Sequence, residues 1–390
     1  MHVQIKLAQP EDDADIRHLL ANNPVPGRIA LSYLREPNYF HGCGVMGDFC
    51  QVVIGRHVPT GQLTGIGCRA VRKLFINGKP QDVGYLSQLR VDKNFRGQLL
   101  VSQGYRFARK LHEDGRVRGY ITTIIEENTE AMGILVNRAR PHMPTYREVD
   151  KICVVSLFLN RCVRVSDPAQ SFDRRSSNSI CKTGDCSLGK TAGSETCAER
   201  LSEIVSFLNQ HGAQKQFFPC WTERDFAPDS PNTRGFSLED LVVIRQKGEI
   251  SGVAGLWDQS TFKQIAVHSY SGALASTRPI YNMAAKLFRR FALPPVGAML
   301  RCAYASFICV RDNEPSVFSE LLDELTSLAT KRGFDFLLAG LSARDPLLLV
   351  AQRLPHIAYH SRLYTVCWEE DKAFHDQLDD RIPYVEIATL

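Results

Sequence analysis

The sequence predicts an α/β protein of two domains, each a mixed, mostly antiparallel sheet flanked by helices. Three observations carry this. The chain is 390 residues long, enough for two ordinary domains. Runs with strand period and runs with helix period alternate through both halves. Between the halves, residues 166–197 are dominated by serine, glycine and charge, with almost no apolar periodicity, as in a linker or a long mobile loop. The expected division is therefore a first domain over 1–162, a polar linker over 163–197 and a second domain over 198–390.

In the first half, residues 2–7 alternate as a strand. Asp12 to Asn22 suits a helix, acidic at its start, with Ile16, Leu19 and Leu20 apolar. Arg28 to Leu34 reads as a second helical stretch that ends before Pro37. Strands follow near Cys50–Arg56 and Leu63–Ile76, joined by the turn Pro59-Thr60-Gly61, and Asn77-Gly78 marks a hairpin. Tyr85 to Val91 is a strand and Lys93 to Gly97 a short basic turn. The next helix carries Leu100, Phe107, Ala108 and Leu111 on one face. Tyr120 to Ile125, rich in β-branched residues, is a strand that ends at Glu126, Glu127 and Asn128, where another helix begins. Glu148 to Leu159 closes the half as an apolar strand.

The second half repeats the plan. Leu201, Ile204, Val205 and Leu208 form a helix stripe. Leu241–Ile244 and Ile250–Trp257 pair around Lys247-Gly248, and Ile265–Tyr270 is a further strand. Pro279 to Ala292 reads as a helix with Ile280, Ala284, Leu287, Phe288 and Phe291 inward, stopped by Pro294-Pro295. Cys302–Val310 is a strand, and the helix after it has Val317, Leu321, Leu325 and Leu328 on one face. Phe334–Leu338, a short helix at Leu347–Leu354 and a last strand at Tyr359–Trp368 complete the order.

Composition excludes several classes. A formal net charge of +5 and a pI near 8.6 are mildly basic and diffuse, so no nucleic-acid partner is expected. No apolar run is long enough to span a membrane, and the first residues lack the apolar core of a signal peptide. The scattered cysteines read as reduced thiols in a cytoplasm. Gly184 to Thr191 satisfies the P-loop pattern but lacks the buried strand such a loop follows. Cys181, Cys186 and Cys197 have no paired Cys-x-x-Cys set, so they read as free thiols and no metal is expected. His41, Cys43 and Cys50 invite a cysteine–histidine nucleophile, yet the glycines among them leave its geometry unfixed.

The informative stretch is Val83 to Ala131. A strand that feeds a helix through an arginine–glycine turn leaves backbone N–H groups free at the helix start. With the helix dipole, these form a site for phosphate oxygens. Leu89-Arg90-Val91 ends the strand, Arg96 to Val101 forms the loop, and Ile124, Asn128 and Ala131 follow. In this order and spacing the chain resembles the GNAT acyltransferase superfamily. Arg96 matches the first position of the family's pyrophosphate loop, whereas Leu99 and Val101 stand where the family prefers small residues. Leu135 occupies the position of the tyrosine that often protonates the departing thiolate.

The resemblance implies acetyl-CoA as co-substrate and an amine as acceptor, with acyl transfer by direct attack. It implies that backbone groups of Leu89 and Val91 hold the pantetheine. The backbone of Gly97, Gln98, Leu99, Leu100, Val101 and Ser102, with the Arg96 side chain, would hold the phosphates, and Asn128 would border the cofactor. Lys93, Arg106, Arg109 and Lys110 either attract the remaining phosphate or form a solvated helix face. Glu126 or Glu127 is the expected base, directly or through water; the plain alternative is charge at a helix start. Tyr85 is a further polar candidate, and Tyr146 could supply the acid in place of Leu135. The second half has Arg311-Asp312-Asn313-Glu314-Pro315-Ser316 where a phosphate loop belongs. Its carboxylates would repel a pyrophosphate and serve better as helix caps, so only the first half is expected to bind CoA. The second domain would shape the acceptor cleft or mimic a dimer partner, giving a monomeric pseudo-dimer or a homodimer. Residues 23–45 are the expected source of acceptor contacts. The competing expectation is a non-catalytic binding or regulatory protein that keeps the GNAT fold.

Overall fold

The computed structural model describes residues 2–25, 27–97, 99–137, 142–159, 179–182, 197–287 and 292–390. The first half contributes strands β1 (Val3–Leu7), β2 (Ile29–Leu34), β3 (Phe49–His57), β4 (Leu63–Ile76), β5 (Lys79–Val91), β6 (Tyr120–Ile125) and β7 (Thr145–Phe158). Its helices are α1 (Asp13–Asn22), α2 (Cys43–Met46), α3 (Leu100–His112) and α4 (Thr129–Leu135). The rest of the chain contributes β8 (Ser179–Lys182), β9 (Leu241–Gln246), β10 (Glu249–Trp257), β11 (Gln264–Tyr270), β12 (Cys302–Val310), β13 (Phe336–Ser342) and β14 (His356–Cys367). Its helices are α5 (Cys197–Gly212), α6 (Gly272–Leu287), α7 (Pro315–Lys331), α8 (Leu347–Gln352) and α9 (Ala373–Asp376).

The two halves build one 12-stranded sheet in the order β1-β3-β4-β5-β6-β14-β7-β13-β12-β10-β9-β8. Only β5–β6 and β12–β13 pair in parallel; the other neighbours are antiparallel. The order is symmetric about the central pair β14–β7, with β6 matching β13, β5 matching β12 and β4 matching β10. At that centre the halves exchange strands. β14, the last strand of the chain, pairs with β6 from Ser361 opposite Ile125 to Val366 opposite Tyr120. β7, the last strand of the first half, pairs with β13 from Phe336 opposite Phe158 to Ser342 opposite Ile152. The largest buried apolar cluster accordingly mixes Val83 and Ile121 with Trp257, Leu321 and Leu363.

Most elements fall where the sequence places them, with two corrections. Arg28–Leu34 is not a helix. Ile29–Leu34 is a strand that pairs with β11, with Ile29 opposite Tyr270 and Leu34 opposite Gln264. An isolated strand with a distant partner carries no local signature, and the non-local pairing overrides the helical reading. The helix predicted from Pro279 begins earlier, at Gly272, and Pro279 lies inside it. Ile280 and Leu287, expected inward, are 66% and 77% exposed, because α6 packs on the two-stranded β2–β11 arm and not on the main sheet. Phe288 and Phe291 lie outside the described residues, as does the P-loop-like run Gly184–Thr191 with Cys186. Within the polar stretch, Ser179–Lys182 pairs with β9 and ends the sheet. Among the described residues no helix is long and apolar enough to cross a membrane.

Candidate active site

Strand β5 is paired with β4 along its length and with β6 only at Gly84–Tyr120 and Tyr85–Ile121. Beyond that point β5 bulges. The register to β4 shifts between Ile66 and Cys68, and Gln88 takes a left-handed φ of 57°. Past the Tyr85–Ile121 pair, the Thr122 hydroxyl donates to the Leu86 carbonyl at 2.7 Å, and the Tyr85 and Thr123 side chains share a hydrogen bond. From Ser87 to Val91, β5 then presents backbone groups that β6 does not pair. They face a cavity of about 330 Å³.

The cavity runs from the start of α3, where Leu100 and Val101 line it, to Lys263 and Leu390 from the other half. The turn before α3 has Gly97 at φ 78° and Leu99 at φ 49°, so the chain swings sharply into the helix. Arg96 is half exposed, reaches the Val91 carbonyl at 3.4 Å and pairs with Glu130 at 3.2 Å. The first N–H groups of α3 have no intrahelical partner and open beside the unpaired end of β5. Gln98 lies outside the described residues. Leu89, Val91, Leu100, Val101 and Asn128 line the cavity; Leu99 is 64% exposed, and Ser102 sits on the first turn of α3 without lining it. Asn128 caps α4 by accepting the Ala131 N–H at 3.1 Å. Arg109 pairs with Glu370 on the side of α3.

The expected catalytic residues divide. Tyr85 and Tyr146 line the cavity. Burial pushes the phenol of each above its ordinary value; Tyr146 also shares a hydrogen bond with Tyr105, a partner that sequence alone does not reveal. Leu135 lines the cavity near them, where the family's tyrosine is absent. Glu126 and Glu127 do not line it. Glu126 meets Lys151 at 3.0 Å and Arg362 at 3.3 Å, and its bond to Lys151 leads the contacts that hold its carboxyl below the usual range. Glu127 is exposed.

The lining contains no aspartate or glutamate among the described residues, yet it contains Arg35, Arg69, Arg90 and Lys263. Arg69 is held by Asp114 through two bonds of 2.8 Å. Lys263 donates to a main-chain oxygen of Leu390 at 2.8 Å and to the Ala388 carbonyl at 3.4 Å, with Tyr304 beneath it at 4.9 Å. Burial first, then the Arg35 charge, push the Lys263 pKa well below the lysine range. None of these four is a residue that sequence patterns single out. Arg35, at least, falls within the 23–45 segment expected to supply acceptor contacts.

The cysteine–histidine reading finds no support in the geometry. The Cys43 and Cys50 thiols are free and share a hydrogen bond, and the Cys50 and Cys68 sulfurs lie 3.3 Å apart. The Cys43 thiol is raised by its hydrogen bond to Cys50 and by burial; the Cys50 thiol is lowered by that bond but raised overall by its bond to Cys68 and by burial, so neither is primed as a thiolate.

The second half repeats the cleft in closed form. β12 and β13 pair from Cys302–Phe336 to Ala305–Ala339 and then part, and Phe307 takes φ 57° as Gln88 does. Here the end of the chain fills the gap. The Phe307 N–H donates to Glu386 at 2.7 Å, and the Ile308 N–H donates to the Tyr384 hydroxyl at 3.2 Å. Ile387 sits so close to Gly340 that an added Cβ would come within 2.2 Å of it. Glu314 caps α7 by accepting the Ser316 N–H, the plain role the sequence suggested.

No protein-family model matches the sequence, and no curated protein matches it. Similarity is found to solved structures. N-myristoyltransferase of Saccharomyces cerevisiae, in a structure with bound myristoyl-CoA, is similar at 13% identity and a TM-score of 0.55, over 93% of this chain and 82% of that one. A GCN5-related N-acetyltransferase from Sphaerobacter thermophilus is similar at 12% identity and a TM-score of 0.55, over 100% and 98% of the two chains. At such identities the likeness speaks to architecture, and it extends across both halves. With its splayed, bulged fifth strand and its tandem symmetry, the chain has the fold of the GNAT superfamily.

Proposed function

We propose that the open cleft binds an acyl-CoA and that the protein transfers the acyl group, acetyl in the simplest case, to a primary amine. The observation that carries this reading is the parting of β5 and β6 beyond Tyr85–Ile121, which leaves the Ser87–Val91 backbone facing a cavity with the start of α3 at one end. A pantetheine arm hydrogen-bonds to such a strand edge, and its pyrophosphate meets the helix N–H groups and Arg96. The two solved neighbours are N-acyltransferases by name, and one holds myristoyl-CoA, which supports an acyl-CoA ligand without fixing the chain length.

In this reading the amine nitrogen attacks the thioester carbonyl, forming the C–N bond, and the C–S bond breaks as the tetrahedral intermediate collapses. Tyr146, kept protonated by burial, gives its proton to the departing thiolate. The attacking amine must be neutral. Glu126 and Glu127 do not line the cavity, so Lys263, which does, takes the proton. As a neutral amine, Lys263 makes both its donations to Leu390 and Ala388 and keeps a lone pair. The arginines that line the cavity act in the same direction by disfavouring an ammonium beside them.

A binding protein without turnover is the second reading. Leu135 in place of the acid, and the ion-paired Glu126, are the observations that favour it. Thiol release decides between them. Incubation with acetyl-CoA and longer acyl-CoAs, each with a panel of primary amines, should give acceptor-dependent free CoA. Saturable acyl-CoA binding with no release above the amine-free rate would leave the binding reading.

A further inference from the structure

We propose that the acceptor amine carries a carboxylate, seated between Arg35 and Arg90 in the open cavity. This deepens the acyltransfer reading above and rests on it for the identity of the cavity as an acceptor site.

Arg35 follows β2, is 6% exposed and lines the cavity. The hydrogen bond it makes is to the Leu34 carbonyl at 3.2 Å. Arg90 lies on β5 and donates to the Leu89 carbonyl at 2.8 Å. Each guanidinium has five N–H donors. Neither forms an ion pair among the described residues, and the lining supplies no aspartate or glutamate to either. Burial and then the neighbouring charges, Arg35 among them, lower the Arg90 affinity for a proton, and Tyr33 lies beside both arginines.

A buried and a half-buried cation on one cavity wall without a counter-ion are unfavourable for folding alone. The contrast with Arg69 is informative. In the same cavity wall the fold supplies Asp114 to Arg69 in a bidentate pair. Arg35 and Arg90 are left for a ligand. The planar guanidinium fork matches a carboxylate with two parallel hydrogen bonds. The phosphates of the cofactor are assigned to Arg96 and the start of α3, and Arg90 is near enough to Arg96 to feel its charge. Tyr33 and Tyr304, whose phenols burial keeps protonated, add hydroxyl donors near Arg35. The ligand that satisfies both ends is an acyl-CoA plus an amine bearing a carboxylate, the chemistry of an amino acid.

Calorimetry with CoA-saturated protein tests this without relying on turnover. The probes are N-acetyl amino acids with small, aliphatic and aromatic side chains, each paired with its carboxamide. The best carboxylate should bind at least about tenfold more tightly than its carboxamide, the ratio for one charge-assisted contact. Arg35→Gln should remove that difference and leave the carboxamide unaffected, and Arg35→Lys should restore part of it. Removing an unpaired buried cation should also hold or raise the melting temperature, a shift opposite to that of a structural arginine. Arg90→Gln gives a second, independent variant. Absence of any carboxylate preference across the panel overturns the proposal, as does an undiminished preference in both variants. Tighter binding of phosphate-bearing amines than of every carboxylate also overturns it. Thiol release is read separately: its failure with every acceptor would end the acyltransfer reading, while the carboxylate preference in binding would stand or fall by itself.

Discussion

The Phe307 N–H donates to the Glu386 carboxylate at 2.7 Å, where the corresponding stretch of the first half, around Gln88, faces an open cavity. One cleft of a symmetric pair is thus occupied by the chain itself. Titration with CoA should give one site per chain. A second site in the calorimetric isotherm would contradict the closure by Tyr384, Glu386 and Ile387.

The same contact has a pH signature. Burial raises the Glu386 pKa above its ordinary value, against the opposing hydrogen bonds from Phe307, Tyr384 and Ala388. A carboxyl that ionises less readily in the folded chain stabilises it when protonated. That contribution is complete below the unfolded pKa and is lost as pH rises through the higher folded pKa. Denaturant melts of the wild type and Glu386→Gln should show the wild type losing ground to the variant from mildly acid to neutral pH. Glu386→Ala leaves the Phe307 N–H without a partner and should cost about 1–3 kcal/mol.

Lys263→Met should lower kcat by about 10²–10⁴-fold, the range for a lost proton-transfer group. Because burial and Arg35 depress the Lys263 pKa, the wild-type rate should rise with pH along an acid limb below the lysine range, and the variant should lack that limb. An unchanged limb would remove Lys263 from the mechanism. Tyr146→Phe should lower kcat with little change in cofactor affinity.

Arg96→Ala should weaken CoA binding by about 1 kcal/mol, the low end for a charge-assisted contact, since the side chain is half exposed and screened. The loss should shrink with added salt. Equal affinity by calorimetry, with the fold intact, would place Arg96 away from the phosphates.

Residues 1–159 and 197–390 expressed separately should not fold, because each half takes its central strand from the other. Mixed from denaturant, they should recover a cooperative melt together. Two independently folded fragments would contradict the exchange.

The elements with a local signature were legible in the sequence. β6 has the predicted ends, and the run Leu89–Val91, the Arg96–Gly97 turn and the α3 start stand together beside the cavity. What escaped is non-local. The strand character of Ile29–Leu34 is set by β11, far along the chain. Arg35, Arg90 and Lys263 become a group only once β2, β5 and the loop before β11 converge, and nothing in the spacing of single basic residues signals that. Glu126 and Glu127 were suggested by their place after β6, but side-chain direction and the partners Lys151 and Arg362 take Glu126 away from the cleft. The exchange of β7 and β14 was equally hidden, because either order of pairing uses the same apolar strands.

That exchange also governs how the molecule comes off the ribosome. The first half is complete in sequence when Phe158 emerges, yet the edge of β6 stays bare until His356–Cys367 has been made. Folding half by half during synthesis, the usual course for tandem units, is closed to this chain. The nascent protein therefore carries the unpaired edge of β6 from the time the first half is made until β14 follows.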